Sequence, residues 1–151
     1  MEQEWMPFII SIKTALTATM ITFFLGIFAA NKINKINPKH KGILDSLFTL
    51  PMVLPPTVIG FFLLVILGRN GFIGKLLYSI GINVIFSWGA TVIAAVVVSF
   101  PLMYSTAKGA FEQIDKNILN AAQTMGVSNF KIFWKIMIPL AWPGIAAGTI
   151  L

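Results

Sequence analysis

The apolar residues of this 151-residue chain fall in long blocks divided by polar stretches. A helix needs about 20 mainly apolar residues to cross the hydrocarbon core of a bilayer. Three blocks reach that length: residues 8–30 (FIISIKTALTATMITFFLGIFAA), 43–67 (ILDSLFTLPMVLPPTVIGFFLLVIL) and 84–107 (VIFSWGATVIAAVVVSFPLMYSTA). A fourth begins near Ile136 and is still apolar at Leu151. A complete chain rarely stops inside a bilayer without a polar cap, so a fragment is expected, its fourth span cut short. The first block is long for the core of a signal peptide, and no small-residue cleavage site follows it, so it reads as a retained span. Lys13, near the outer end of that span, is expected to snorkel to the headgroups.

The polar stretch at 108–135 has a pattern of its own. Phe111, Ile114, Ile118, Ala122 and Met125 follow helical spacing and predict one apolar stripe. Glu112, Asp115, Lys116, Asn120 and Gln123 fall on the opposite side, where the two carboxylates are expected to be simply solvated. Gly126 should end this helix in a left-handed turn, and Ser128 should cap a second helix that runs into the fourth span. An amphipathic helix resting on lipid would show a similar stripe.

Composition agrees with the spans. Hydrophobic residues make up 57% of the chain and charged ones only 11%, against about 25% charged in a soluble domain. There is no cysteine, which excludes disulfides and thiolate metal sites. The net charge of +6 fits loops facing anionic lipid better than it fits nucleic acid. Lys32, Lys35, Lys39 and Lys41 follow the first span, and Lys108, Lys116, Lys131 and Lys135 follow the third. Lys13, Arg69 and Lys75 are all that remain. Basic residues gather on the cytoplasmic side, so the N-terminus is expected outside and the 108–135 loop inside. The second loop, with Gly68, Asn70, Gly71 and Gly81, then faces out.

No catalytic or metal-binding constellation is present. His40 is the sole histidine, in a lysine-rich loop, and no phosphate-binding glycine loop occurs, so any ATP hydrolysis must come from a partner. The second block carries Pro51, Pro55 and Pro56, which should kink or break its helix. Freed carbonyls inside a membrane need protein or a water-filled path beside them. The segment with Thr57 is therefore a candidate translocation path, with a plain packing kink as the alternative. Pro101 makes the same case more weakly. Gly89, Ala90, Ala94 and Ala95 suit close helix packing or a subunit interface.

The segment NAAQTMGVSNFKIFWKIMIP resembles the signature loop of ABC importer permeases: Glu-Ala-Ala, three residues, Gly, nine residues, Ile, one residue, Leu-Pro. Ala121, Ala122, Gly126, Ile136 and Pro139 match at the right spacing. Asn120 stands where the family usually has Glu, and Ile138 where it usually has Leu. The stretches LPMVLPPTVIGFFLLVILGRNGFIG, FSW and SFPLMYSTAKGAFEQIDKN look like the permease subunits of molybdate importers. The resemblance implies an all-α, polytopic transmembrane helical bundle in the plasma membrane of a prokaryote: one permease domain over 1–151, three full spans and a truncated fourth. It implies a coupling loop at about 108–135, with Ala121 and Ala122 offering a small-residue docking surface. It further implies two ABC ATPase subunits, a second permease copy as homodimer partner, an extracytoplasmic oxyanion-binding protein and surrounding lipid, with no cofactor and no nucleic acid. Molybdate is the expected cargo, with tungstate or sulfate as close rivals. An ATPase-independent carrier or scaffold is the rival from another class, and a carrier of that kind usually shows a midplane acid or base.

Overall fold

The computed structural model describes residues 2–81 and 84–150, including all of their side chains except those of 2–4 and 38. Leu151, the last residue of the expected fourth span, lies outside the described residues. Every regular element among them is helical: α1 Glu2–Asn34, α2 Pro38–Val53, α3 Pro56–Leu67, α4 Phe72–Ser79, α5 Trp88–Glu112, α6 Lys116–Thr124, α7 Asn129–Ile132, a π turn over Phe133–Met137, and α8 Ile138–Ile150.

Two helical stretches are long and apolar enough to cross a membrane, Trp5–Asn34 and Trp88–Glu112. The second expected span is broken, as its prolines predict. Lys39–Val53 and Pro56–Leu67 meet at a 110° bend and make a third span only if the bent pair is counted as one. The cause is in the sequence. Leu54 precedes a proline and is biased away from helical backbone, while Pro55 and Pro56 have no N–H to continue the ladder. Pro55 becomes the N-cap of α3 and Pro56 its first residue, a position where the missing N–H costs nothing. The third span starts at Trp88 rather than 84 and runs on to Glu112.

The chain divides into two compact units, Met1–Thr22 with Leu50–Pro101, and Phe23–Thr49 with Leu102–Leu151. In the first, the indole Nε1 of Trp88 donates to Thr14 Oγ1 at 2.9 Å. The Lys13 ammonium stands 4.5 Å from the centre of the Trp88 ring, an attractive placement over an aromatic face. Arg69 lies 5.1 Å over Tyr78 in the turn-and-helix segment after α3. Phe61, Phe62, Leu64 and Val65 of α3 are exposed, an outward apolar surface suited to lipid or to protein inside a membrane.

The second unit has the tighter interior. Ala30, Met103, Tyr104, Ala107 and Ile145 are buried. Its helices approach through small residues. A Cβ built on Gly144 would stand 2.6 Å from Ala110 Cβ, and one on Gly26 would stand 2.7 Å from Met103 Cγ. Small residues bring helices close where the hydrophobic effect drives no association between spans. Gly89, Ala90, Ala94 and Ala95 are half-buried, and among the described residues close approaches between helices fall on Gly26, Gly144 and Gly148.

Candidate functional site

The loop between α5 and α8 is a built structure. The expected single helix through 111–125 is divided: α5 ends at Glu112 and α6 starts at Lys116. Asp115 causes the division. Its backbone is extended, and its carboxylate accepts from Asn117 N–H at 2.9 Å, which opens a new helix. The stripe divides with it. Phe111, Ile114 and Ala122 are buried, whereas Ile118 and Met125 are exposed.

Gly126 ends α6 with φ +76°. Gly126 N–H reaches Gln123 O at 2.9 Å and Val127 N–H reaches Ala122 O at 3.1 Å, the paired bonds of a Schellman turn. Ser128 then stands at the N-cap of α7 as expected, but its side chain makes no capping bond. From Asn129 to Ile150 the chain stays helical, passing through the π turn, where Ile138 N–H reaches back to Phe133 O. Pro139 follows directly. It has no N–H to offer the carbonyl four residues earlier, and a widened turn is one way a helix absorbs that loss.

The six loop positions therefore divide. Asn120 and Ala121 are exposed on α6, Gly126 makes the turn, Ile136 is half-buried in the π turn, and Pro139 is exposed at the start of α8. Ala122, next to the exposed Ala121, is 2% exposed and lies on the buried side with Phe111 and Ile114. The exposed apolar residues of the loop are Met125, at 75%, and Phe130, at 73%. Met125 belongs to the apolar stripe that the spacing predicts, and Phe130 lies outside it. Replacing Asp115 with alanine should cost about 1 kcal/mol by removing the α6 cap. A drop of several degrees in the melting temperature of the purified protein, with helix content falling only slightly, is the expected readout.

Beneath the loop lies a polar cluster that joins α2 to α5. Lys41 Nζ contacts Glu112 Oε1 at 2.6 Å and Asn34 Oδ1 at 3.2 Å. Lys108 Nζ contacts Asp45 Oδ2 at 2.5 Å and Glu112 Oε1 at 3.9 Å. The Tyr104 hydroxyl donates to Asp45 Oδ1. Glu112 is therefore paired, not merely solvated, and Asp115 is committed to its cap. A signal for this cluster was present in the sequence. Lys41 and Asp45 are four apart, as are Lys108 and Glu112, so each helix presents one cation and one anion on the same face. Antiparallel pairing of those faces crosses the charges correctly.

The proposed path residues sit at the α2–α3 bend. Pro51 is half-buried within α2, and Pro55, Pro56 and Thr57 are exposed where α3 begins. Among the described residues, no group of three or more His, Asp or Glu is arranged to hold a metal ion.

Residues 22–151 match the family described as the binding-protein-dependent transport system inner membrane component. The chain belongs to this family. It is thus an all-α inner-membrane component of a transport system, and the match covers both the bend and the built loop. It is similar to the molybdenum transport system permease protein ModB of Escherichia coli (strain K12), 42% identical over 151 residues, 99% of this chain and 66% of that protein. It is 43% identical over 146 residues to the putative molybdenum transport system permease protein YvgM of Bacillus subtilis (strain 168), 96% of this chain and 64% of that one. A probable sulfate transport system permease protein, cysT of Chlorokybus atmophyticus, is 34% identical over 144 residues, 95% of this chain and 50% of that protein. The chain thus spans less than two thirds of the length of these relatives.

Proposed function

We propose that this chain forms the membrane-spanning part of an ATP-driven importer of molybdate. The observation that carries the reading is the loop itself, a short helix capped at both ends that offers Asn120, Ala121 and Met125 outward on a chain otherwise made of apolar helices. Such a helix is stiff enough to transmit a push. Its rear face is anchored by buried Ala122, and the Schellman turn at Gly126 fixes the angle at which α7 and α8 leave it. The family's binding-protein-dependent character and the relatives named for molybdenum support the cargo and the partners.

In this reading two ATPase subunits dock on the loop from the cytoplasm and hydrolyse ATP. A second permease copy completes the path, and an external oxyanion-binding protein delivers the substrate. ATP binding changes the free energy of contact at the loop, which shifts the spans between inward-open and outward-open states. The bend at Pro51, Pro55, Pro56 and Thr57 is the candidate lining, because a broken helix exposes backbone groups that an anion passing through water can meet. The N-terminus lies outside by the distribution of lysines. Sulfate is the second reading, favoured by the sulfate-system relative.

Reconstituted transporter with its ATPase and binding protein is the test. ATP-dependent uptake of molybdate should be inhibited by excess tungstate and only weakly by excess sulfate. Uptake that persists without the ATPase subunit would remove the coupling role, and stronger inhibition by sulfate would change the cargo.

A further inference from the structure

A second feature of the Phe23–Thr49 and Leu102–Leu151 unit lies against the long first helix. A groove of about 360 Å³ runs between α1 and the α7–α8 segment, lined by apolar side chains that include Phe23, Phe24, Phe28, Trp134, Ile138 and Trp142. Phe23 and Trp142 close one end with ring centres 6.5 Å apart. Phe28 and Trp134 mark the other end, and both are more than half exposed.

Three lysines lie close to Phe28 and Trp134 along the chain. Lys32 lies one turn beyond Phe28, with its ammonium 5.1 Å from that ring centre. Lys131 and Lys135 flank Trp134 in sequence and are exposed. Among the described residues, the salt bridges of Asp45 and Glu112 go to Lys41 and Lys108, and none reaches Lys32, Lys131 or Lys135. Asp115 is spent on its cap. The groove is therefore apolar along its length with Lys32 at one end and Lys131 and Lys135 on the helical segment that carries Trp134, and among the described residues no carboxylate pairs with these lysines.

We propose that this groove holds an acyl chain of an anionic phospholipid, with the headgroup phosphate at Lys32, Lys131 and Lys135. Lipid satisfies both halves of the site at once. The chain covers the aromatic wall, and the phosphate supplies the countercharge, to which each nearby lysine contributes attraction. A protein segment laid over the same groove would cover three lysines and would need carboxylates to neutralise them. The proposal depends on α1 being a membrane span and not on the cargo or the ATPase.

Trp134 and Trp142 allow a direct test in the assembled transporter, reconstituted in phosphatidylcholine bilayers with increasing fractions of brominated lipid. The fluorescence difference between the wild type and a W134F/W142F variant isolates the two groove tryptophans. Brominated phosphatidylglycerol should quench that difference at about a fivefold lower mole fraction than brominated phosphatidylcholine, and K32Q/K131Q/K135Q should bring the two curves together without abolishing quenching. Coincident curves in the wild type would remove the anionic headgroup from the proposal. Absence of quenching by either lipid would show that protein fills the groove. Both outcomes leave the import reading untouched, since ATP-dependent uptake is measured separately.

Discussion

Gly126→Val is expected to abolish coupled transport, while Gly126→Asn retains most of it. The two variants separate backbone conformation from bulk. A Cβ at this position would meet nothing within 4 Å, so the site has room for a side chain. What it lacks is tolerance of ordinary backbone angles, because φ is +76°. Asparagine visits that left-handed region far more readily than other residues, and a β-branched residue is a marked outlier there. Left-handed backbone costs a typical side chain about 1–2 kcal/mol. Valine would relieve that cost by giving up the Gly126–Gln123 and Val127–Ala122 bonds. The turn would open, and α6 would no longer hold a fixed angle to α7. The ATPase should then co-purify at a tenfold lower yield, and transport per ATP hydrolysed should fall at least as far. Equal behaviour of the two variants would mean that the angle of the turn is irrelevant to docking.

Asp45→Asn has the second largest expected effect, on stability. The Asp45–Lys108 pair has side chains only 23% and 20% exposed. Removing one member of a buried pair strands the other charge and costs about 3–5 kcal/mol when burial is complete. About 2 kcal/mol is expected here, because Glu112 at 3.9 Å still offers Lys108 a weaker partner. The D45N/K108M double variant removes both charges and should recover much of the loss. A double-mutant cycle on thermal unfolding measures the coupling. Strictly additive effects would show that the pair contributes no mutual stabilisation.

Much of this was legible in the sequence for a simple reason. Membrane spans are written in long apolar runs, and neither tertiary packing nor side-chain detail is needed to read them. Gly126 was legible because few residues other than glycine adopt a left-handed turn so readily, and the spacing around it resembles a known loop. The prolines marked a break, but only the structure gives its size, because several residues share the change in direction. The helix at 111–125 was misread because helical periodicity cannot see a cap. The spacing continues smoothly through Asp115, while its carboxylate turns back to its own chain and starts a new helix. The burial of Ala122 was not legible for a related reason: pattern places a small residue on a stripe without saying what that stripe faces. The ion-pair cluster was missed because it links α2 to α5 across more than sixty residues of chain, and no local window contains both halves.

The π turn at Phe133–Met137 has a consequence for how this protein tolerates changes in length. A π turn holds one residue more than the same turn of α-helix. Deleting one residue there lets the segment relax to a plain helix, at the cost of realigning α8. The same deletion inside α6 has no slack to draw on, and it would shift the left-handed position off Gly126. The segment that joins the Gly126 turn to α8 therefore contains its own length adjuster, set directly before the proline that makes one useful.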